Sequence, residues 1–278
     1  MKLTNLMIDG IIKRALEEDM PHGDVSTDAL FSGEETAGAK LVAKEDGVAA
    51  GLMVAARVFN LVDENTVFTP LVKEGELITK GTIMAKVSGK TVSLLKAERV
   101  ALNFLQRMCG IAGKTRKMTE LAEGSGTAIT DTRKTTPNLR ILEKYAVSAG
   151  GGINHRFSLS DAVMLKDNHI KAAGSIKNAV AKARNVIPHT MTIEVETETL
   201  AQVSEAVEAG ADIIMLDNMT REDIIKAVAI IGKKAIVEVS GNLTEDNIGN
   251  KLVPGVDVMS SGGLTHSVKA MDISMMFI

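Results

Sequence analysis

The sequence has little of several things that would point to a particular class of protein. Its 278 residues include one cysteine, no tryptophan and one tyrosine, and aromatic residues make up only 3%. The single Cys109 excludes an intrachain disulfide and a metal site built from several cysteines. Its apolar surroundings predict a buried, inert thiol. Few aromatic residues and a net charge of −3 argue against a nucleic-acid-binding protein.

Long uncharged apolar runs are also absent. No run approaches the ~20 residues of a membrane span. The N-terminus, MKLTNLMIDGIIKRALEED, is amphipathic and lacks the continuous apolar core of a signal peptide. We therefore predict a cytoplasmic protein with no membrane and no nucleic-acid partner. The composition, 45% hydrophobic and 24% charged, is that of a globular protein with one large domain or two smaller ones.

The first part of the chain predicts a small β-rich domain. Residues 1–19 have a helical pattern, and MPHGDVSTDALF is rich in turn residues and indicates a connector. Residues 37–93 alternate apolar and polar positions between glycine turns, and a helix over residues 53–62 interrupts these short strands. A long helix over residues 93–124 follows, with a predicted break near Gly110.

The second part is a β/α repeat. Six short apolar runs each end on polar residues, and a helical stretch follows each of the first five. In parallel α/β barrels the strand C-termini face the active site. Six units are fewer than the eight of a full barrel, so either the barrel is incomplete or strands escape the pattern. The runs are AITDTRKTT (128–136), AVMLKDNH (162–169), MTIEVET (191–197), IIMLDN (213–218), AIVEVSG (235–241) and VDVMSSGG (256–263). The closing residues 272–277 are a candidate final strand that could rejoin the first sheet.

Cations cluster at two of these strand ends. Arg133 and Lys134 follow the first strand, and a guanidinium fork and an ammonium both suit carboxylate or phosphate. Solvated surface charge explains the pair about equally well. Three glycines precede His155 and Arg156, and the next strand delivers Lys166. A lysine at the end of an apolar strand is poorly explained as surface charge. The combination GGG-x-x-HR with LKDNH is therefore more specific than its parts.

Carboxylates mark the following strands. Glu194 and Glu196 lie on one face of a strand, because residues two apart point the same way, and Asp217 ends the next strand. Carboxylates on adjacent strand ends can hold Mg²⁺ together with substrate phosphates. They could instead pair with Lys134 or Lys166, or act as an acid–base pair for hydrolysis. The nearby cations, however, would keep both ionised.

The last two units end in VSGNLT and SSGGLTHS, each with serine and glycine between a strand and a helix. Exposed backbone N–H groups at such positions bind phosphate, and the last loops of βα barrels are the usual phosphate site. Each motif alone is weak, but together they favour a phosphorylated ligand.

Several of these motifs, in this order, resemble the quinolinate phosphoribosyltransferase family. They are ERVALNFLQRMCGIAG, TRKTTPNLRILEKYAVSAGGGINHRFSLSDAVMLKDNH, EVET, IIMLDN and SSGGLTHS. The resemblance implies an N-terminal α/β sandwich domain at residues 1–110, joined by residues 266–278, and an incomplete parallel α/β barrel at residues 111–265. It also implies a pentosyltransferase of NAD biosynthesis that converts quinolinate and phosphoribosyl pyrophosphate into nicotinate mononucleotide, pyrophosphate and CO₂.

The resemblance further implies roles for named residues. Arg99, Arg133, His155, Arg156 and Lys166 would bind the two quinolinate carboxylates. Lys134, Glu196 and Asp217 would be the catalytic set, serving phosphoribosyl pyrophosphate and Mg²⁺, with Glu196 and Asp217 as metal ligands directly or through water. Ser240, Gly241, Gly262 and Gly263 would hold the 5′-phosphate. The family is dimeric or larger, and the Arg99 position would reach into the partner's barrel.

Three other interpretations remain open. One is a paralogous phosphoribosyltransferase-like protein linked to molybdate transport, against which LKDNH counts. A second is a non-catalytic sensor of a phosphate ligand, which would not need both Glu196 and Asp217. A third is an aldolase with Lys166 as Schiff base, which would need a desolvated lysine.

Overall fold

The computed structural model describes residues 2–278. Its helices are α1 (Asn5–Asp19), α2 (Val25–Leu30), α3 (Leu52–Val62), α4 (Thr91–Leu121), α5 (Arg140–Ala149), α6 (Asp167–Ala173), α7 (Ile176–Arg184), α8 (Leu200–Glu208), α9 (Arg221–Ile231), α10 (Ile248–Lys251) and α11 (Gly263–His266). Its strands are β1 (Thr36–Ala43), β2 (Gly47–Val48), β3 (Val67–Pro70), β4 (Leu77–Ile78), β5 (Ile83–Lys90), β6 (Ala128–Thr130), β7 (Val163–Leu165), β8 (Ile193–Thr197), β9 (Ile213–Asp217), β10 (Ile236–Ser240), β11 (Val258–Ser260) and β12 (Ile273–Phe277).

The chain divides into two compact units. Unit 1 comprises Met1–Arg116, Thr136–Gly151 and Ser267–Ile278, and unit 2 comprises Lys117–Thr135 and Gly152–His266. The segment that carries α5 therefore belongs to unit 1, although the predicted boundaries assign it to the barrel. Those boundaries themselves stay a prediction.

Unit 1 is built on a four-stranded antiparallel sheet in the order β12-β1-β5-β3. The predicted β-rich region is confirmed, and so is the predicted return of the C-terminal strand, because β12 pairs with β1. Strand β1 buries Ala39, Leu41 and Ala43 at alternate positions, which is the pattern of a sheet with one face on a core. Helix α3 supplies Val58 and Phe59 to the same unit, both fully buried.

The N-terminal predictions are partly right. The helix predicted over residues 1–19 begins at Asn5, and residue 1 lies outside the described residues. The predicted connector contains a helix, α2. Asp24 caps it, because the Asp24 carboxylate accepts a hydrogen bond from the Thr27 backbone N–H at 3.1 Å. Asp24 is therefore the N-cap of a short helix, in a segment whose composition predicts only turns.

Helix α4 is continuous, so the predicted break near Gly110 is wrong. The glycine serves close packing instead. A Cβ added there would lie 3.0 Å from Val268 Cγ1 and 3.2 Å from the carbonyl carbon of Lys269. On the same helix Cys109 is 1% exposed, and burial raises the pKa of its thiol to about 12, as expected for an inert cysteine.

Unit 2 contains a six-stranded parallel sheet in the order β6-β11-β10-β9-β8-β7. All six predicted strands are present, each within or beside its apolar run. Strands β6 and β7 are the two ends of this order, so the described strands do not form a closed hydrogen-bonded ring. This is the expected incomplete parallel α/β barrel. The apolar runs arise because such strands are buried on both faces.

Candidate active site

The parallel sheet brings most of the predicted site residues to one edge. Lys166 follows the last residue of β7, Glu196 is the penultimate residue of β8, and Asp217 and Ser240 end β9 and β10. Ser240 and Asp217 are direct partners in the register of these strands. Because parallel strands end at the same edge, these side chains share the carboxyl end of the sheet.

The Arg133–Lys134 segment is held by hydrogen bonds with Thr265 of α11 and with Thr132. The Thr265 hydroxyl donates a hydrogen bond to the Lys134 carbonyl at 2.8 Å. The Lys134 N–H donates to the Thr132 hydroxyl at 3.0 Å. A Cβ added to Gly262 would lie 2.8 Å from Lys134 Cδ, so glycine at this position leaves room for the lysine side chain.

Asp131 fixes the backbone that carries His155 and Arg156. The Asp131 carboxylate is fully buried and accepts hydrogen bonds from the His155 N–H at 2.9 Å and from the Asn154 amide at 2.7 Å. Arg156 Nη1 donates to the Ala162 carbonyl at 2.9 Å. Burial and then the positive charge of Arg133 lower the pKa of Arg156. The segments that carry the two arginines lie side by side, because Thr130 pairs with Ile153 and Asp131 holds the His155 N–H, and two guanidinium groups so placed suit an anion.

Two of the three glycines before His155 are explained by contacts and backbone conformation within the protein. A Cβ on Gly150 would lie 2.7 Å from Thr115 Cβ, so this glycine allows close packing against α4 in unit 1. Gly151 has a φ of +94°, which other residues rarely adopt. These two glycines are therefore accounted for without a ligand close to the backbone.

His155 lies between two buried carboxylates. Its Nε2 is 3.2 Å from Glu194 Oε2 and 3.5 Å from Glu238 Oε2. Burial lowers the pKa of His155, but hydrogen bonds with Glu194 and Glu238 raise it to about 10, while burial raises the pKa of Glu194. The Arg156 N–H donates to His155 Nδ1 at 2.8 Å, so the ring hydrogen lies on Nε2, the nitrogen that faces the two carboxylates. Among the described residues, this is the one group of three metal-ligand side chains whose ligand atoms lie within 4.8 Å of one another.

Lys166 and Glu196 form an ion pair across the strand ends. Lys166 Nζ lies 3.0 Å from Glu196 Oε2, and the lysine side chain is 47% exposed. The salt bridge considered for this carboxylate is thus present with Lys166. The Asp217 carboxylate accepts a hydrogen bond from Asn218 Nδ2 at 2.8 Å. Asn218 has a φ of +54°, an unusual backbone conformation that turns the chain directly after β9.

Glu196 and Asp217 fit Mg²⁺ by their chemistry. Both offer hard carboxylate oxygens, and they lie on the neighbouring strands β8 and β9. Mg²⁺ keeps several waters and needs only one or two carboxylates in addition to substrate phosphate oxygens. Their assignment as metal ligands stays a prediction.

The two predicted phosphate loops have glycines where space is short. Gly241 has a φ of +107°, and a Cβ there would lie 2.7 Å from Asn218 Cγ. The Ser240–Gly241 turn therefore packs directly against the residue that follows Asp217. Gly262 and Gly263 begin the segment beside Lys134, and the preceding Ser260 hydroxyl is buried without a hydrogen-bond partner. Phosphate binding by these loops stays a prediction.

Arg99 belongs to unit 1, whereas the other predicted site residues belong to unit 2. It lies on α4 with an exposed side chain. Its proposed function in a neighbouring chain stays a prediction.

Glu238 and Asn218 also belong to this edge of the sheet, but neither is among the residues predicted from the sequence. Glu238 lies two positions before Ser240 in an otherwise apolar strand and is 3% exposed. Glu194 stands at the same spacing before Glu196. A carboxylate inside an otherwise apolar strand is therefore the sequence feature that could have indicated Glu238. Asn218 directly follows Asp217, but no local pattern indicates its positive φ.

A cavity of about 700 Å³ lies at the opposite, amino-terminal edge of the sheet. Its lining includes Asp212 and Asp257, which accept hydrogen bonds from the backbone N–H groups of Ile193 and Val237 at 2.7 Å and 2.8 Å. These carboxylates are therefore used to hold strand ends. The predicted site residues are not part of this lining.

Similarity to known proteins identifies the class. Residues 24–109 match the family model of the quinolinate phosphoribosyl transferase N-terminal domain, and residues 111–276 match that of the C-terminal domain. The chain belongs to the quinolinate phosphoribosyltransferase family. No helix among residues 2–278 is long and apolar enough to span a membrane.

Individual relatives agree across the whole length. A Bacillus subtilis protein named probable nicotinate-nucleotide pyrophosphorylase (carboxylating) is 42% identical, covering 98% of this chain and 94% of that protein. A Synechocystis protein of the same name is 44% identical, covering 98% and 93%. The crystal structure of NadC from Streptococcus pyogenes is 47% identical, with a TM-score of 0.96, and covers 100% of this chain and 99% of that chain.

Proposed function

We propose that this protein transfers the phosphoribosyl group of phosphoribosyl pyrophosphate to quinolinate with loss of CO₂. The products are nicotinate mononucleotide and pyrophosphate, and the reaction belongs to de novo NAD biosynthesis. Family membership supports the reaction, and one structural observation carries it. Arg133 and Lys166 follow β6 and β7, and the segment of Arg156 lies beside the end of β6, so these cations are at the sheet edge that also holds Glu196 and Asp217.

The cations suit quinolinate because it is a dianion. Arg133 and Arg156 lie on adjacent segments, and a carboxylate bound between their guanidinium groups would relieve their mutual repulsion. Lys166 adds a third charge at the end of β7. A substrate with two adjacent carboxylates uses these charges fully, whereas a monocarboxylate leaves part of the site unpaired.

The reaction needs little covalent chemistry from the protein. The pyridine nitrogen attacks C1′ of the ribose while the bond from C1′ to the pyrophosphate oxygen breaks. The C2–carboxylate bond of the positively charged ring then breaks, CO₂ leaves, and the carbanion at C2 takes a proton from solvent. The side chains position both reactants and stabilise the charge on the leaving group.

The phosphoribosyl pyrophosphate side is assigned to Lys134, Glu196 and Asp217, with Ser240, Gly241, Gly262 and Gly263 around the 5′-phosphate. Lys134 is exposed and held by its backbone, so its ammonium is available to the pyrophosphate. Mg²⁺ bound through Glu196 and Asp217 would neutralise charge on the departing pyrophosphate. The ion pair of Glu196 with Lys166 would then loosen, which frees Lys166 for the quinolinate carboxylate.

Two further features belong to this proposal. The protein acts as a homodimer or a larger homo-oligomer in which Arg99 completes the partner's site. It acts in the cytoplasm.

The aldolase alternative is disfavoured by Lys166 itself. A lysine that forms a Schiff base must be neutral, usually through desolvation or a neighbouring cation. The Lys166 side chain is instead 47% exposed and lies in an ion pair 3.0 Å from the Glu196 carboxylate, so it is neither desolvated nor beside a cation in this pair.

A comparison of quinolinate with nicotinate tests the proposal. The purified protein is incubated with phosphoribosyl pyrophosphate, Mg²⁺ and either pyridine acid, and nicotinate mononucleotide is measured. We expect quinolinate to be used and nicotinate to be a poor substrate, at least about 100-fold lower in kcat/KM, because buried charges are left unpaired. Comparable turnover of nicotinate would overturn the assignment.

A further inference from the structure

Glu194 and Glu238 lie beside the residues proposed to bind quinolinate, although their negative charge should repel a dianion. Both are on the barrel strands, two residues before Glu196 and Ser240, and they are 2% and 3% exposed. Their Oε1 atoms are buried without hydrogen-bond partners. Two buried carboxylates weaken the binding of a dianion by their charge and are costly to desolvate. Their presence therefore calls for an explanation other than direct contact with the substrate.

The imidazole of His155 provides that explanation, because both of its nitrogens are engaged within the protein. Nδ1 accepts a hydrogen bond from the Arg156 backbone N–H at 2.8 Å. An acceptor nitrogen carries no proton, so this geometry requires the tautomer with hydrogen on Nε2. Nε2 lies 3.2 Å and 3.5 Å from the two carboxylates. The carboxylates therefore select the tautomer that can hold the Arg156 backbone.

The same interaction reaches Arg156, the arginine proposed to bind quinolinate. Asp131 fixes the backbone of His155, and the His155 ring fixes the N–H of Arg156. The guanidinium of Arg156 is directed by the Ala162 carbonyl. Loss of the carboxylates would leave the imidazole free to rotate or to change tautomer, and the Arg156 N–H would lose its acceptor.

We propose that Glu194 and Glu238 are positioning residues, which hold His155 in one tautomer and orientation and act on quinolinate binding through His155 and Arg156. The substrate named here rests on the proposed function. The positioning itself does not, because it is a property of the protein without ligand.

The direction in which the Kd for quinolinate changes distinguishes positioning by the carboxylates from simple charge repulsion. Quinolinate binding to Glu238→Gln and Glu194→Gln is measured by titration calorimetry, and thermal unfolding checks that each variant folds. A glutamine amide can either accept from Nε2–H or donate to an unprotonated Nε2, so it no longer selects one tautomer. Positioning therefore predicts a Kd at least about tenfold higher, equal to about 1.4 kcal/mol. Removal of negative charge alone would lower the Kd. An unchanged or lower Kd in the folded variants overturns the proposal. The exposed Glu198→Gln, with the same chemical change just beyond β8, is the matched control.

A double-mutant cycle tests whether the effect passes through His155. If it does, Glu238→Gln should raise the Kd much less in a His155→Asn background than in the wild type. An equal increase in both backgrounds would show that Glu238 acts independently of His155, and the proposal would be wrong.

A third readout needs no substrate. The chain has five histidines, and the His155 ring signals can be assigned in ¹⁵N-histidine-labelled protein by comparison with His155→Asn. We expect an Nε2–H tautomer with an unprotonated Nδ1 in the wild type and in Glu198→Gln, and a changed ring spectrum in Glu238→Gln. An identical spectrum in Glu238→Gln overturns the positioning. If the wild type neither binds nor converts quinolinate, the proposed function fails, while this measurement still decides the role of the carboxylates.

Discussion

At the scale of single residues, the Glu196 carboxylate has two alternative partners, Lys166 and the proposed Mg²⁺. In the protein alone its Oε2 faces Lys166 at 3.0 Å, and as a metal ligand it would face Mg²⁺. Asp217 differs, because its hydrogen bond comes from the neutral Asn218 amide. Substrate and metal are therefore expected to rearrange Glu196 more than Asp217.

Glu196→Gln and Asp217→Asn should impair the phosphoribosyl pyrophosphate side of the reaction. We expect kcat/KM for phosphoribosyl pyrophosphate to fall about 100-fold or more, because charge stabilisation at the leaving group is lost. Binary quinolinate binding should change less than about threefold, which is the ordinary context dependence of a neighbouring charge. Steady-state kinetics with varied Mg²⁺ measure the effect on phosphoribosyl pyrophosphate, and calorimetry measures the effect on quinolinate binding.

Glu198→Gln is the control for general effects of charge near β8, since that side chain is exposed. A large loss of quinolinate affinity with ordinary Mg²⁺ dependence would reverse the assignment of the two sides.

The sequence predicted single residues well where a charge ends an apolar run. Lys166, Glu196 and Asp217 are at strand ends in the structure, as their position after apolar residues indicates. Glu238 escaped because it lies inside its strand, and a charge there has meaning only once His155 lies beside it. That contact joins residues 83 positions apart, which no local pattern contains.

At the scale of secondary-structure elements, α4 supplies a matched pair of glycines. Gly110 faces the backbone of residues 268–269, whereas a Cβ on Gly113 would have no heavy atom within 4 Å. Both lie inside the same helix, so the helix propensity gained by alanine is similar at the two positions.

Gly110→Ala should therefore destabilise the protein, by about 1–3 kcal/mol, because the added methyl group overpacks a backbone contact. Gly113→Ala should stabilise it by about 0.5–1 kcal/mol, since alanine reduces the conformational freedom of the unfolded chain. Denaturant unfolding of both variants measures the difference. Equal effects of the two substitutions would contradict the packing role of Gly110.

Helix α4 shows why the sequence predicts helices and strands better than it predicts breaks within them. The strands of unit 2 are predictable because parallel strands buried on both faces are continuous apolar runs. A glycine in a helix, in contrast, has two meanings, a break or a close contact, and the local sequence is the same for both. The contact of Gly110 with Lys269 decides between them only after the chain has folded.

At the scale of the whole molecule, we predict that the active site is shared between chains. Arg99 belongs to unit 1 and Lys166 to unit 2, and each is exposed. If Arg99 acts in the partner's site, Arg99→Ala and Lys166→Ala homodimers are each nearly inactive. A heterodimer of the two would contain one site with both residues and one with neither.

Subunit exchange between these variants should restore activity to about a quarter of wild type, given random pairing in a closed two-fold dimer. Differently tagged subunits show whether exchange is complete. Activity that stays at the mutant level after complete exchange would mean that Arg99 acts within its own chain or has no catalytic role.

The proposed reaction removes the 2-carboxylate of quinolinate once the ring has accepted the phosphoribosyl group. The decisive experiment uses quinolinate labelled in one carboxyl carbon at a time, together with phosphoribosyl pyrophosphate and Mg²⁺. We expect label from the 2-carboxyl group to appear as CO₂, one for each nicotinate mononucleotide formed, and label from the 3-carboxyl group to stay in the nucleotide. Nucleotide that retains both labels, or no label released when phosphoribosyl pyrophosphate is present, would contradict the proposed reaction.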